Sequence, residues 1–315
     1  MNRAVSFVWV LVMLFSAGLT SAAESKPTSQ AAERDSLLFT ASGDGGYAFD
    51  TGVLRGRLRA GGKSLGLTLV THTPSGMRLD RSNGLLSHYR VFTKGVRYGG
   101  GAWDWPSEAE LTRGGTVEAH WPSTEQRPFQ MRAIYRWRTP EILDLETVVK
   151  AEKDLTGFES FLANYFGESF TNAAVFAAPS AETENRPGFI RLGTAAGAWQ
   201  MFPRQDSVVP LIQDGRWRLE PNPVIWTIRT HFDRPLAFRR DPASGLTAVF
   251  MSPATDCFAI AAPEETEGHY SLYFSLFGRD LKAGQVAVAR TRLVIRATAA
   301  DQVPKLYQEY TEQLR

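Results

Sequence analysis

Residues 129–150 limit what this chain can fold into more than any other stretch. Phe129, Met131, Ala133, Tyr135 and Trp137 fall on alternate positions, with Gln130, Arg132, Arg136 and Arg138 between them and Ile134 as the exception. Successive side chains of a strand point to opposite faces, so this run buries one face and wets the other. After Thr139-Pro140-Glu141 the alternation resumes, with Leu143, Leu145, Thr147 and Val149 opposite Asp144, Glu146, Val148 and Lys150. Two such runs joined by a short turn predict a β-hairpin.

The same period predicts strands at 53–60, 64–72, 116–121, 189–192, 217–219, 224–232, 246–251, 258–262, 271–277 and 286–297, separated by Gly, Pro, Asn and Asp. Only 299–314 reads as a helix, with Val303, Leu306, Tyr307 and Tyr310 at helical spacing and Pro304 in its first turn. Many strands and one short C-terminal helix predict an all-β sandwich or barrel. Neither linker composition nor an internal repeat interrupts 37–315, which is expected to be a single domain.

At the N-terminus, Arg3 precedes an apolar run over 4–19 and then Ser21-Ala22-Ala23. That pattern predicts a secretory signal peptide over 1–23, cleaved after Ala22 or Ala23. The run is shorter than the roughly 20 residues a span requires, so no permanent membrane span is expected after cleavage and the protein is expected to be periplasmic or secreted. Residues 24–36 are polar and rich in breakers, a flexible lead-in. With 43% hydrophobic and 22% charged residues the chain can bury a full core, which excludes the disordered and fibrous classes. A single cysteine, Cys257, forbids an internal disulfide, so stability must come from buried area. Its apolar setting, Cys257-Phe258-Ala259-Ile260, reads as core rather than as a nucleophile.

The formal charge of +2 is spread along the chain, and Arg55, Arg57 and Arg59 alternate with Leu54, Gly56 and Leu58 as on a solvated strand face. Nucleic acid is therefore not an implied partner. The five histidines show no metal-ligand spacing, so neither a metal nor a cofactor is expected. Gly62-Lys63-Ser64-Leu65-Gly66 matches the G-x-S-x-G elbow, but Leu67, Leu69 and Thr71 continue as a strand, where that motif requires a helix.

Several segments, taken in order, resemble the galactose mutarotase-like superfamily. Arg127-Pro128-Phe129 leads through Tyr135-Arg136-Trp137 to Ile142-Leu143-Asp144-Leu145-Glu146 and then Lys153-Asp154-Leu155-Thr156. Leu162-Ala163-Asn164-Tyr165-Phe166 resembles the family's His-x-Tyr-Phe segment, and Asp280-Leu281-Lys282-Ala283-Gly284-Gln285 its Leu-x-Pro-Gly-Glu turn. The resemblance implies a large antiparallel β-supersandwich. It also places Ala163 and Ala262 where aldose epimerases keep their catalytic His and Glu, and neither can move a proton.

Two constellations point to a carbohydrate ligand. His231-Phe232-Asp233 resembles a family segment that binds sugar hydroxyls, and alternation puts Arg229, His231 and Asp233 on one strand face. The other is aromatic: His88-Tyr89-Arg90, then Arg97-Tyr98-Gly99-Gly100-Gly101-Ala102-Trp103-Asp104-Trp105. Trp and Tyr stack on the C–H faces of sugar rings, while Arg, Asp and His bond the hydroxyls. The expected site holds substrate between residues 103–105 and 229–233. Arg90, Arg97, Trp103, Asp104, Trp105, Asn172, Arg229 and Asp233 bind it, and His88 or His231 exchanges protons with Glu168 as counterpart. The chain reads as a carbohydrate-binding protein that acts on a sugar or uronic acid by acid–base chemistry. Its alternatives are a non-catalytic glycan-binding or scaffolding module and a polysaccharide lyase-like enzyme in which Arg90 and Arg97 neutralise a carboxylate.

Overall fold

The hairpin read from the alternation is present: strand Phe129–Thr139 pairs antiparallel with Ile142–Ala151, Met131 opposite Val149 and Trp137 opposite Leu143. Every second residue of the first strand is buried, as the period requires. The computed structural model describes residues 37–64 and 66–315; the expected signal peptide (1–23) and lead-in (24–36) lie outside them.

This hairpin sits inside a nine-stranded back sheet. Its order is Gly188–Arg191, Asn172–Ala177, Phe232–Arg240, Leu246–Met251, Val286–Ala297, Ile142–Ala151, Phe129–Thr139, Val117–Trp121 and Glu108–Leu111. A seven-stranded front sheet runs Thr227–Ile228, Trp199–Pro203, Cys257–Pro263, Ser271–Leu281, Leu155–Tyr165, Ser87–Thr93 and Val96–Arg97. Pairing is antiparallel except where Thr227–Ile228 meets Trp199–Pro203. A five-stranded sheet over 40–78 completes the architecture.

One apolar cluster joins inward residues of all three sheets, among them Leu58, Met131, Leu145, Leu162, Phe250 and Phe274. Each large side chain removed from water here stabilises by about 1.5–3 kcal/mol. Two buried polar side chains tie neighbouring segments together. Tyr135 Oη donates to Leu86 O at 3.1 Å, and Asn164 accepts from Leu86 N at 2.7 Å while donating to Leu272 O at 3.0 Å.

Part of each outer face is covered as well. Helix Val303–Glu312 lays Val303, Leu306, Tyr307 and Tyr310 on the back sheet, as its spacing predicts. The segment 206–228 lays Val208, Ile212, Trp217, Trp226 and Ile228 on the front sheet. Among the described residues no helix is long and apolar enough to cross a membrane. Cys257 is fully buried, and burial pushes its thiol well above the usual range, so it is inert packing.

Two expected strands are corrected. Residues 217–219 fall in the 3₁₀ turn Arg216–Arg218 and the residue after it. Of 224–232, only Thr227–Ile228 and the first residue of Phe232–Arg240 are strand. The apolar residues of this segment pack down on the front sheet from above it, which imitates strand periodicity. Among the strands that escaped the pattern, Ser87–Thr93, Leu155–Tyr165, Asn172–Ala177, Trp199–Pro203 and Phe232–Arg240 are buried on both faces along most of their length and carry little alternation.

Candidate functional site

The outer face of the front sheet carries a cleft of about 350 Å³ where segment 206–228 stands off the strands. Outward side chains of Leu155–Tyr165 and Ser271–Leu281 make its floor. Phe161 stacks on Tyr273 at 4.6 Å between centroids, and Tyr165 meets Tyr273 edge-on at 5.9 Å. Burial holds both phenols above their usual range, Tyr273 up to about 12, so they remain neutral donors. The walls are indoles. Trp217 lies perpendicular to Trp226 at 5.2 Å, and Trp226 to Trp199 at 5.7 Å. Asn222 and Pro223 close the rim.

Strand Ser87–Thr93 adds Tyr89 and Arg90. The Arg90 guanidinium is 4% exposed and lies over the rings of Tyr89 and Trp217, at 5.0 and 5.3 Å from their centroids. Its Nη2 donates to Asn222 O at 2.6 Å and to Tyr89 Oη at 3.3 Å. Nε and Nη1 are buried without a partner, as are the indole nitrogens of Trp217 and Trp226. All four unpaired groups are N–H donors.

The Gly-rich loop holds that wall in place. Trp103 stacks on Tyr89 at 4.1 Å with ring planes 6° apart. A Cβ on Gly101 would stand 2.9 Å from the Trp103 ring and 3.1 Å from that of Tyr89, so only glycine lets the loop pass behind the stacked pair. Arg97 ties the loop to the rim by donating to Gly99 O and Gly100 O on one side and to Leu219 O and Pro221 O on the other.

One titratable pair stands at the mouth. His269 lines the cleft edge-on to Trp199 at 5.3 Å, and its Nδ1 lies 2.6 Å from Glu267 Oε1. In the tautomer whose Nδ1–H donates to that carboxylate, Nε2 is the acceptor nitrogen of the ring.

Of the expected site residues, the structure brings Arg90, Arg97 and Trp103 to this cleft or its wall, and the others elsewhere. Trp105, two residues past Trp103, turns the opposite way into the core beside Phe129, and Asp104 is exposed against Lys63 at 3.2 Å. The role expected for His88 is corrected by its position. It points inward, Nε2 is 2.9 Å from Thr147 Oγ1 of the back sheet, and burial pushes it down to about 3. Glu168 is exposed and pairs with Arg81 at 3.3 Å beyond the rim. Asn172 lies opposite Arg240 in the back sheet.

The second half of the expected site also moves. Arg229 is committed to Gln200 and Glu182, His231 lies 3.0 Å from Asp206, and Asp233 pairs with Arg234 at 2.8 Å. None of residues 229–233 lines the cleft, although Trp226 just before them does, so the expected pairing of 103–105 with 229–233 is not the one the structure makes. Ala163 faces the cleft side between Phe161 and Tyr165, whereas Ala262 faces the inter-sheet core. The reading missed Trp199, Trp217, Trp226 and His269. The one available signal was two tryptophans flanking the Pro-rich run Glu220-Pro221-Asn222-Pro223, with Glu267-x-His269 downstream. Among the described residues, no three His, Cys, Asp or Glu side chains are grouped to hold a metal.

A scan against protein-family models gives no match, and a search of curated proteins gives none either. Solved structures do match. The chain is similar to the Slr1438 protein of Synechocystis sp. PCC 6803, at 11% identity over 84% of this chain and 98% of that one, with a TM-score of 0.51. It is also similar to a GalM/aldose epimerase homologue from C. elegans, at 10% identity over 84% and 99% of the two chains (TM-score 0.47). A putative aldose 1-epimerase from Escherichia coli K12 matches at 10% identity over 82% and 98% (TM-score 0.44). The first likeness shows a shared fold and nothing finer. The large antiparallel sandwich with a short C-terminal helix, implied by the galactose mutarotase-like resemblance, is the architecture the chain has.

Proposed function

We propose that this is an exported carbohydrate-binding protein whose aromatic cleft takes a sugar ring carrying a carboxylate, with His269 exchanging a proton with it. The observation that carries the reading is Arg90, a buried cation with two unpartnered nitrogens in a wall whose other unpaired groups are also donors. A uronic acid supplies what that wall lacks. Its carboxylate accepts the guanidinium hydrogens in charge-assisted bonds, and its C–H faces lie on Trp217, Trp226 and Tyr273. Near that carboxylate, His269 Nε2 with Glu267 behind it is a general base when neutral and a general acid when protonated.

Tryptophan fluorescence tests this directly, because three indoles line the cleft. Galacturonate, mannuronate and glucuronate oligomers are expected to quench saturably, and neutral cello- and malto-oligosaccharides to bind more weakly. Arg90→Gln is expected to weaken the uronates by roughly ten- to hundredfold, the worth of a buried charge-assisted hydrogen bond. Equal affinity for neutral and acidic sugars, or an unaffected Arg90→Gln variant, would overturn the reading.

A second reading, binding without turnover, is favoured by Ala163, whose methyl stands on the cleft side between Phe161 and Tyr165. Incubation with bound uronate separates the two. A product that His269→Gln fails to make supports acid–base chemistry, whereas full binding with no product supports the module. Export rests on residues 1–23. Mass spectrometry of the exported protein is expected to find a mature chain beginning at Ala23 or Glu24, and an intact Met1 outside the cytoplasm would refute cleavage.

A further inference from the structure

Arg97, which bonds the rim turn at Leu219 O and Pro221 O, also lines a second cleft. This cleft measures about 430 Å³ and is lined by Arg97, Tyr98, Trp105, Gln126 and Arg127, with no acidic side chain on its walls. Trp105, turned away from the main cleft, lies flat under the Arg127 guanidinium at 4.2 Å. Arg127 is 8% exposed, donates to Pro122 O at 2.6 Å, and leaves Nε buried without a partner.

Arg90, Arg97 and Arg127 share one property. The acceptors they reach are backbone carbonyls and the Tyr89 hydroxyl, so the buried Arg90 and Arg127 are held by dipoles without a carboxylate partner, while the half-buried Arg97 has Glu220 in its field. Burial, and after it the charge of Arg90, depresses Arg97 below the usual guanidinium range, with Tyr89 and Glu220 acting in the opposite direction, so the two cations lie within each other's field. Unneutralised buried charge is costly unless a counter-ion arrives. Both clefts pair an indole wall with an arginine that keeps an unpartnered nitrogen. The turn 219–222 is held by Arg90, which lines the first cleft, at Asn222, and by Arg97, which lines the second, at Leu219 and Pro221.

We infer that the Trp105–Arg127 cleft is a second subsite for the same class of ligand, so that the protein holds a chain of acidic sugars across the 219–222 turn and not a single residue. This rests on the reading of the first cleft as a uronate site, and it adds polymer length as a determinant. A chain reaching both clefts gains the second contact without a second loss of translational freedom.

Titrating galacturonate oligomers of one to six residues into the full mature chain tests the inference. Affinity is expected to rise at least tenfold between the shortest and longest fragments, and the rise is expected to shrink as salt is added. Arg127→Gln is expected to abolish the rise while leaving the shortest fragments unaffected. Val96→Asp sets a carboxylate on the exposed edge of the same cleft, where Val96 is 44% exposed and the core is undisturbed. It is expected to act likewise, which guards against misfolding of the Arg127 variant. Short fragments that bind with no gain in length, or a gain that survives both substitutions, would overturn the second subsite and leave the first intact. No binding of any uronate overturns both.

Discussion

Acidification from pH 6.5 to 3 is expected to remove roughly 4–5 kcal/mol of stability through a single imidazole, that of His88. The ring is 1% exposed, tilted against Trp121 at 5.3 Å, and bonded through Nε2 to Thr147; Nδ1 has no partner. Nothing nearby accepts a second proton, so burial pushes the group from 6.5 down to about 3. Above pH 6.5 both folded and unfolded chains hold it neutral and it contributes no pH dependence. Between 6.5 and 3 only the unfolded chain takes up the proton, so stability falls by about 1.4 kcal/mol per pH unit. Below 3 both states are protonated and the loss is complete.

His88→Leu isolates this contribution from that of the carboxylates. At pH 7 the variant is expected to be less stable by about 1–3 kcal/mol, because the Thr147 hydroxyl loses its partner. By pH 4 the parent has lost roughly 3 kcal/mol that the variant has not. The two urea-derived stability curves should therefore converge or cross in the acid limb. Curves that stay parallel from pH 7 to 4 would show that His88 is not a buried neutral ring.

How far the sequence could be read depended on whether a strand face meets water. Phe129–Thr139 announces itself because its outward Gln130, Arg132, Arg136 and Arg138 are solvated. Leu155–Tyr165 does not, because segment 206–228 roofs the front sheet and its outward positions hold Phe161, Ala163 and Tyr165. The roof misleads in the other direction as well, since Trp226 and Ile228 pack downward from a segment that is mostly not a strand.

The site followed the same logic. The aromatic and Arg-rich stretch 88–105 was legible as a ligand wall. Which side chains face the ligand was not, because Trp103 and Trp105 leave a 3₁₀ turn in opposite directions and His88 and Tyr89 lie on opposite faces of one strand. Trp199, Trp217, Trp226 and His269 reach the cleft only through pairings that join residues far apart in the chain, which local period does not encode. The expected partnership with 229–233 failed for another reason: Arg229, His231 and Asp233 are taken up by Gln200 and Glu182, by Asp206 and by Arg234, outside the cleft lining.

Breaking the ion pair beneath Trp217 is expected to have a comparable effect, a loss of about 3–5 kcal/mol for Arg216→Met. Arg216 is fully buried. Its guanidinium donates to Glu159 at 2.9 Å, to Asp214 at 2.9 Å and to Gly157 O at 2.9 Å. Methionine fills similar volume, so the loss comes from Glu159, 1% exposed, whose carboxyl burial already pushes up and which loses its counter-charge. Asp214 is nearer the surface and can be hydrated. Glu159→Gln added to Arg216→Met is therefore expected to recover most of the stability, since the buried charge is then gone from both sides. A double variant no more stable than the single one would locate the cost in packing. The pair also connects stability to the cleft, because Arg216 fixes the 3₁₀ turn that sets Trp217 over Phe92 and Phe161. In the recovered double variant that turn has lost its anchor while the sandwich stands. Uronate affinity should consequently stay depressed where stability has returned, and urea unfolding beside fluorescence titration of the same samples would separate the two.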